Sequence, residues 1–87
     1  MRTPMVAGNW KLNGTRASAD ALAQEVASGA QSLNNVEVLV CPTYIHIPGV
    51  QGVIAASNVK LGAQDASIQE SGAYTGEVST AMLQEFG

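Results

Sequence analysis

The chain has 87 residues, of which 46% are hydrophobic and only 13% are charged, about half the usual quarter. This apolar content excludes a disordered acidic tail. Four Lys and Arg against seven Asp and Glu give a net charge of −3, so the basic surface of a nucleic-acid-binding protein is excluded as well. Small domains normally carry more surface charge, and we therefore expect part of this surface to be covered by something else.

The single cysteine, Cys41, excludes an intrachain disulfide framework, and no Cys/His cluster is available for a structural metal. We therefore expect a reducing compartment. The apolar run at residues 5–7 is soon interrupted by Asn9 and Lys11, so it fits neither a signal-peptide core nor a membrane span. The expected location is cytoplasmic.

Three short apolar segments predict β-strands, at residues 5–9, 36–41 and 58–63. The second is rich in β-branched residues and is stopped by Pro42, whereas the third alternates only weakly. Their spacing suits parallel strands joined by crossover connections.

Residues 18–30 predict a helix, with Thr15 or Ser18 as its cap and Gly29 near its end. Its apolar residues recur at helical spacing and predict one buried stripe, made of Ala19, Leu22, Ala23, Val26 and Ala30.

The later connections differ in kind. Residues 45–56 predict a short, irregular helix because they contain one proline and two glycines. Residues 64–78 form a long polar loop, of a length that usually serves function or interaction. Ser79 is expected to cap a last helix that runs through Phe86.

This order predicts an α/β fold with parallel strands and with its helices on one face, because right-handed crossovers between neighbouring strands place them there. Nothing in the chain would then cover the other face. A doubly wound sheet could be covered on both sides, but two and a half crossovers hardly suffice for one. A closed barrel of about 250 residues would bury the open face, which makes this chain resemble its first third.

The segment that follows the first strand, residues 8–14, reads GNWKLNG. The carboxyl ends of parallel strands are where α/β folds bind ligands, and an amide (Asn9) beside an ammonium (Lys11) could polarise a carbonyl or hold an anion. The phosphate-loop and dinucleotide-binding patterns are not present. From spacing alone, a solvated lysine and a turn asparagine remain the simpler interpretation.

This segment closely resembles the first active-site loop of the triosephosphate isomerase family. Residues 61–65 (LGAQD) and 71–79 (SGAYTGEVS) continue the resemblance in the family's order and spacing. It covers essentially the whole chain and implies the first three βα units of a TIM (β/α)8 barrel, with residues 1–87 forming part of one domain without an internal boundary.

The resemblance implies an enzyme that interconverts dihydroxyacetone phosphate and glyceraldehyde 3-phosphate by proton transfer, without metal or organic cofactor. Lys11 resembles the family's lysine that balances the substrate phosphate and the developing enediolate oxygen. Asn9 resembles the neighbouring amide that helps to position the substrate. Cys41 and His46 are expected to be structural rather than catalytic.

The loop from Gln64 to Ser79 resembles the family's third βα loop, which projects into a twin subunit and implies a homodimer. Asp65 stands at a position where the family more often has asparagine. This difference leaves the hydrogen bonds of Asp65 open. The residues implied at the dimer interface are Gln64, Asp65, Tyr74, Thr75, Gly76 and Glu77.

No counterpart of the family's glutamate base or histidine electrophile occurs in residues 1–87, so the isolated chain is expected to be inactive. The alternative is a non-catalytic piece: a folding fragment, or a βα module that covers its open face by associating with other chains.

Overall fold

Three parallel strands lie side by side in chain order in the computed structural model, which describes residues 2–87. They are β1 (Met5–Asn9), β2 (Glu37–Cys41) and β3 (Val59–Leu61). The parallel pairing places Val38 between Val6 and Val59. The three predicted strands are confirmed, although β3 has only three residues.

The first connection is the longest helix, α1 (Arg16–Ala30). Thr15 caps it, because the Thr15 side chain accepts a hydrogen bond from the Ser18 amide while the Ser18 hydroxyl accepts one from the Thr15 amide. The helix therefore begins two residues before the predicted start. Ala19, Ala23 and Ala30 are buried as predicted.

The prediction that Leu22 is buried is wrong, because its side chain is 42% exposed. Leu22 lies at the rim of the apolar stripe, where no element within residues 2–87 covers it.

The second and third connections are less regular. A single 3-10 turn, Tyr44–His46, leads into α2 (Ile47–Ile54), which agrees with the predicted short, irregular helix. The last helix, α3 (Thr80–Gln84), is capped by the Ser79 hydroxyl and ends before Phe86. In the described part of the chain, no helix is long and apolar enough to cross a membrane.

One apolar cluster joins α1, α2 and the sheet, and its centre includes Ala23 and Val50, both 0% exposed. Val40 belongs to this cluster, and Val38 packs against it. Because side chains alternate along a strand, Leu39 and Cys41 face the opposite side of the sheet. The helices that form the core thus lie on one face, as predicted, and within residues 2–87 no helix packs on the other.

Candidate functional site

The site lies where β1 and β2 end, and the strand register brings its parts together. Asn9, the last residue of β1, pairs with Cys41, the last residue of β2. The Trp10 amide then donates a hydrogen bond to the Cys41 carbonyl at 3.1 Å, which continues the pairing one residue beyond β1. Trp10 packs against the apolar cluster, which anchors the start of the loop after β1 to the core.

Lys11 has a left-handed backbone, with φ of 58°. A residue with a Cβ rarely adopts this region, and holding it there costs about 1 to 3 kcal/mol. The Lys11 amide donates a hydrogen bond to Asn9 Oδ1 at 2.9 Å, so the two predicted site residues meet directly. Both residues are exposed.

The rest of the first loop is held by local contacts. Asn13 Nδ2 donates a hydrogen bond to the Trp10 carbonyl at 3.0 Å, which closes a short turn around Lys11. Gly14 follows with a positive φ of 101° and leads into the Thr15 cap of α1. The loop is therefore fastened at both ends while its lysine side chain stays exposed.

Gln64 joins this loop from the end of β3. Its Nε2 donates hydrogen bonds to the carbonyl oxygens of Lys11 and Cys41, both at 2.9 Å. The motif placed Gln64 in the third loop but did not indicate these bonds, because its partners lie 53 and 23 residues earlier in the chain.

Gly62, which follows β3, leaves room for the Cys41 side chain beside the site. A methyl group added at Gly62 would lie 2.9 Å from Cys41 Sγ, too close for real atoms. Cys41 is half-buried, and burial raises the pKa of its thiol, so the protonated form is favoured. This environment agrees with the expected structural role and opposes a nucleophilic one.

His46 lies away from this strand end, in the 3-10 turn before α2. Its Nδ1 is 3.1 Å from the Thr43 hydroxyl, which anchors the turn, and the ring is partly buried. This placement agrees with the partly packed structural histidine that we expected.

The third loop (residues 64–79) is closed at its base and exposed along its length. The Ser67 amide donates to the Val78 carbonyl at 2.8 Å, and Ser67 also bridges Ser79. Residues 68–77 are all exposed.

A turn at residues 74–77 forms the exposed end of this loop. The Glu77 amide donates to the Tyr74 carbonyl at 3.2 Å, and Gly76 supplies the positive φ of 86° that the turn requires. Thr75 occupies the second position of this turn. The four residues predicted for this part of the interface therefore lie together.

Tyr44 follows the end of β2 by three residues and is half-buried. Burial raises the pKa of its hydroxyl, and the nearby carboxylates of Asp65 and Glu77 raise it further. Within residues 2–87, no three His, Cys, Asp or Glu side chains are grouped as metal ligands would be.

Comparison with known proteins identifies the family. The family model described as Triosephosphate isomerase matches residues 4–87. The triosephosphate isomerase of Psychromonas ingrahamii is 52% identical over 87 residues, and that of Magnetococcus marinus is 51% identical over 88. These matches cover 100% of this chain in both cases, and 35% and 34% of the two relatives.

The crystal structure of triosephosphate isomerase from Bartonella henselae matches with a TM-score of 0.88 and 34% sequence identity. The match covers 99% of this chain and 35% of that one. The chain therefore spans about a third of the length of its relatives, and its open sheet corresponds to the first βα units of a TIM barrel. The similarity in sequence and in structure leads to one conclusion: the chain belongs to the triosephosphate isomerase family.

Proposed function

We propose that this chain is the N-terminal third of a cytoplasmic triosephosphate isomerase. The complete enzyme would interconvert dihydroxyacetone phosphate and D-glyceraldehyde 3-phosphate through an enediolate, in glycolysis and gluconeogenesis. Family membership supports this reaction. The observation that carries the proposal is the left-handed Lys11, held against Asn9 at the carboxyl end of β1.

Lys11 supplies positive charge in this mechanism. Its ammonium would bind the substrate phosphate and balance the negative charge that develops on the enediolate oxygen. A cation that is already in place needs little reorganisation when this charge appears, which is where such a group lowers the barrier. The Asn9 side chain sets the turn through its bond to the Lys11 amide and would help to position the substrate.

Proton transfer in this proposal depends on residues outside this chain. Triosephosphate isomerases use a glutamate base and a neutral histidine electrophile, and neither has a counterpart in residues 1–87. We do not assign the second role to His46, because its position in the turn before α2, with Nδ1 3.1 Å from the Thr43 hydroxyl, supports a structural role. The reaction needs no metal or organic cofactor, since the substrate's own carbonyl accepts the developing charge.

The third loop is the proposed contact with a twin subunit. Ile68 is 96% exposed and Tyr74 is 48% exposed on a loop whose base is fixed, so both side chains are available for contact with another protein surface. The proposed interface consists of the six residues implied by the family resemblance, with Thr75 at the exposed turn.

A second candidate function is a non-catalytic βα module that associates with other chains. The open face of the sheet favours it, since Leu39 and Cys41 face a side that no helix of residues 2–87 covers. The two functions differ in what Lys11 does, because a module that only associates has no need of an ammonium there.

Replacing Lys11 in the complete enzyme separates these functions. Lys11→Met removes the charge at similar volume, and we expect kcat/KM in a coupled isomerase assay to fall by about a hundredfold or more. Circular dichroism should be unchanged because the side chain is exposed. Arg16→Met, which removes an exposed cation from the start of α1, is the matched control and should keep full turnover. Unchanged turnover in Lys11→Met would show that the assigned role is wrong.

A further inference from the structure

One amide group connects the ends of all three strands. Gln64 follows β3, and its Nε2 lies 2.9 Å from the carbonyl oxygen of Lys11 after β1 and 2.9 Å from that of Cys41 at the end of β2. A primary amide nitrogen carries two hydrogens, so both bonds can form at once. The Cys41 oxygen also accepts the Trp10 amide, which uses both of its lone pairs.

Lys11 is the residue that most needs such support. Its left-handed backbone is unfavourable for a residue with a Cβ, and such a conformation persists only when its surroundings hold it. The Asn9 side chain holds the peptide before Lys11 by accepting from its amide, and Gln64 holds the peptide after it by donating to its carbonyl. The two bonds together restrict both torsion angles of Lys11.

We propose that Gln64 is a positioning residue for Lys11, which it holds through the backbone from the neighbouring loop. The proposal rests on the proposed function for the chemistry that Lys11 performs, but the placement of Gln64 stands on its own geometry. Gln64 touches the backbone of Lys11 rather than any reacting atom. Its task is to keep the ammonium at one place at the carboxyl end of the strands.

The chemistry of the contact requires an amide at this position. Methionine has similar length but no donor, and glutamate has the same shape but would direct carboxylate oxygens at two carbonyl oxygens. Both replacements release the Lys11 carbonyl, and glutamate also repels it. We therefore expect Gln64→Glu to be more damaging than Gln64→Met at neutral pH.

The first test reads the backbone of Lys11 directly, in the complete protein. Labelling lysine carbonyl carbons with ¹³C and leucine nitrogens with ¹⁵N marks two peptide bonds of this segment, Lys11–Leu12 and Lys60–Leu61. The Lys11→Met variant identifies the first signal by removing it. Gln64→Met should shift the Lys11–Leu12 signal and leave the Lys60–Leu61 signal nearly in place.

Gln51→Met is the matched control. Gln51 also donates from Nε2 to a distant backbone carbonyl, that of Phe86, at 2.8 Å, but it lies on α2. This variant should leave the Lys11–Leu12 signal unchanged. An unmoved signal in Gln64→Met, or an equal shift in both variants, would overturn the proposal.

The second readout is kinetic. Gln64→Met should lower kcat/KM by about tenfold or more, because a misplacement of about 1 Å costs up to a hundredfold. The loss should appear in kcat as well as in KM, since Lys11 contacts both the phosphate and the developing charge. Sedimentation velocity under assay conditions must show the same oligomeric state for both proteins.

These readouts keep the two proposals separate. A wild-type protein without isomerase activity would reject the proposed function and leave the spectroscopic result valid. An active wild type whose Gln64→Met variant shows a shifted Lys11 signal but full activity would reject the positioning role.

If the variants fail to fold, the wild type still provides a test. A coupling across the hydrogen bond between a glutamine side-chain nitrogen and the Lys11 carbonyl carbon is expected, and its loss from a well-resolved spectrum would overturn the contact.

Discussion

Lys11 keeps a left-handed backbone although glycine would adopt it at much lower cost. Backbone strain at a residue other than glycine points to its surroundings, because the surrounding structure must supply the bonds that hold the strained conformation. Here those bonds come from Asn9 on one side and Gln64 on the other. The loop thus stabilises one backbone conformation of Lys11 while its side chain remains exposed, as the proposed binding role requires.

Cys41 provides a pH-dependent prediction at this scale. Burial raises the pKa of its thiol, so the unreactive protonated form should persist to a higher pH than in an unfolded chain. Iodoacetamide labelling of the Cys41 peptide, followed by mass spectrometry, should be slow at neutral pH, and its rate should reach half of its maximum only above pH ~8.5, the ordinary pKa of a thiol. The urea-unfolded protein is the control. A half-maximal rate in the folded protein at or below the pH found for the unfolded protein would contradict this environment.

The site could be predicted from the sequence only in part. The segment at residues 8–14 indicated Asn9 and Lys11, because a motif made of consecutive residues after a strand is visible in the sequence itself. The two bonds of Gln64 could not be predicted, since they depend on how three loops meet in space. The positive φ of Lys11 could not be predicted either, because lysine has no preference for it.

At the scale of elements, the third loop combines a fixed base with an exposed end. The bridge between Ser67 and Ser79 closes the loop, while the turn at residues 74–77 gives its end a defined shape. A loop of this kind loses little conformational freedom when a partner binds it. The geometry therefore suits the proposed dimer contact.

Thr75→Arg tests that contact. A long charged side chain at the exposed turn should not fit a pocket of the partner, so we expect the complete protein to shift from dimer toward monomer in analytical ultracentrifugation. Thr3→Arg, at an exposed position before β1, is the control and should remain dimeric. A dimer unperturbed by Thr75→Arg would reject the assigned interface.

The order of elements was predictable because each has a local signal: β-branched runs for strands, an alanine-rich stripe for α1 and hydroxyl caps for α1 and α3. The exact bounds of these elements were less predictable. The helix α1 begins at Arg16 because Thr15 and Ser18 cap it together, whereas either residue alone could have been the cap. Leu22 is exposed because the burial of a rim position depends on neighbours beyond the helix itself.

At the scale of the whole molecule, the sheet formed within residues 2–87 is open on one face and at both edges. The edge strand β1 shows this most clearly, since Met5 is 52% exposed and the next residue, Val6, which faces the other way, is 62% exposed. Parallel sheets are normally buried on both faces. The low charge content of the sequence is consistent with an open sheet, because a surface that packs against another part of a protein needs few charged groups.

The assay that tests the account most directly compares isomerase turnover of the complete protein with that of residues 1–87 alone, at equal molar concentration. Turnover is expected only from the complete protein, because we find in residues 1–87 no counterpart of the family's glutamate base or histidine electrophile. The intact mass of the short chain, 9.0 kDa, verifies what is being assayed. Substantial turnover by residues 1–87, or none by the complete protein, would contradict the account.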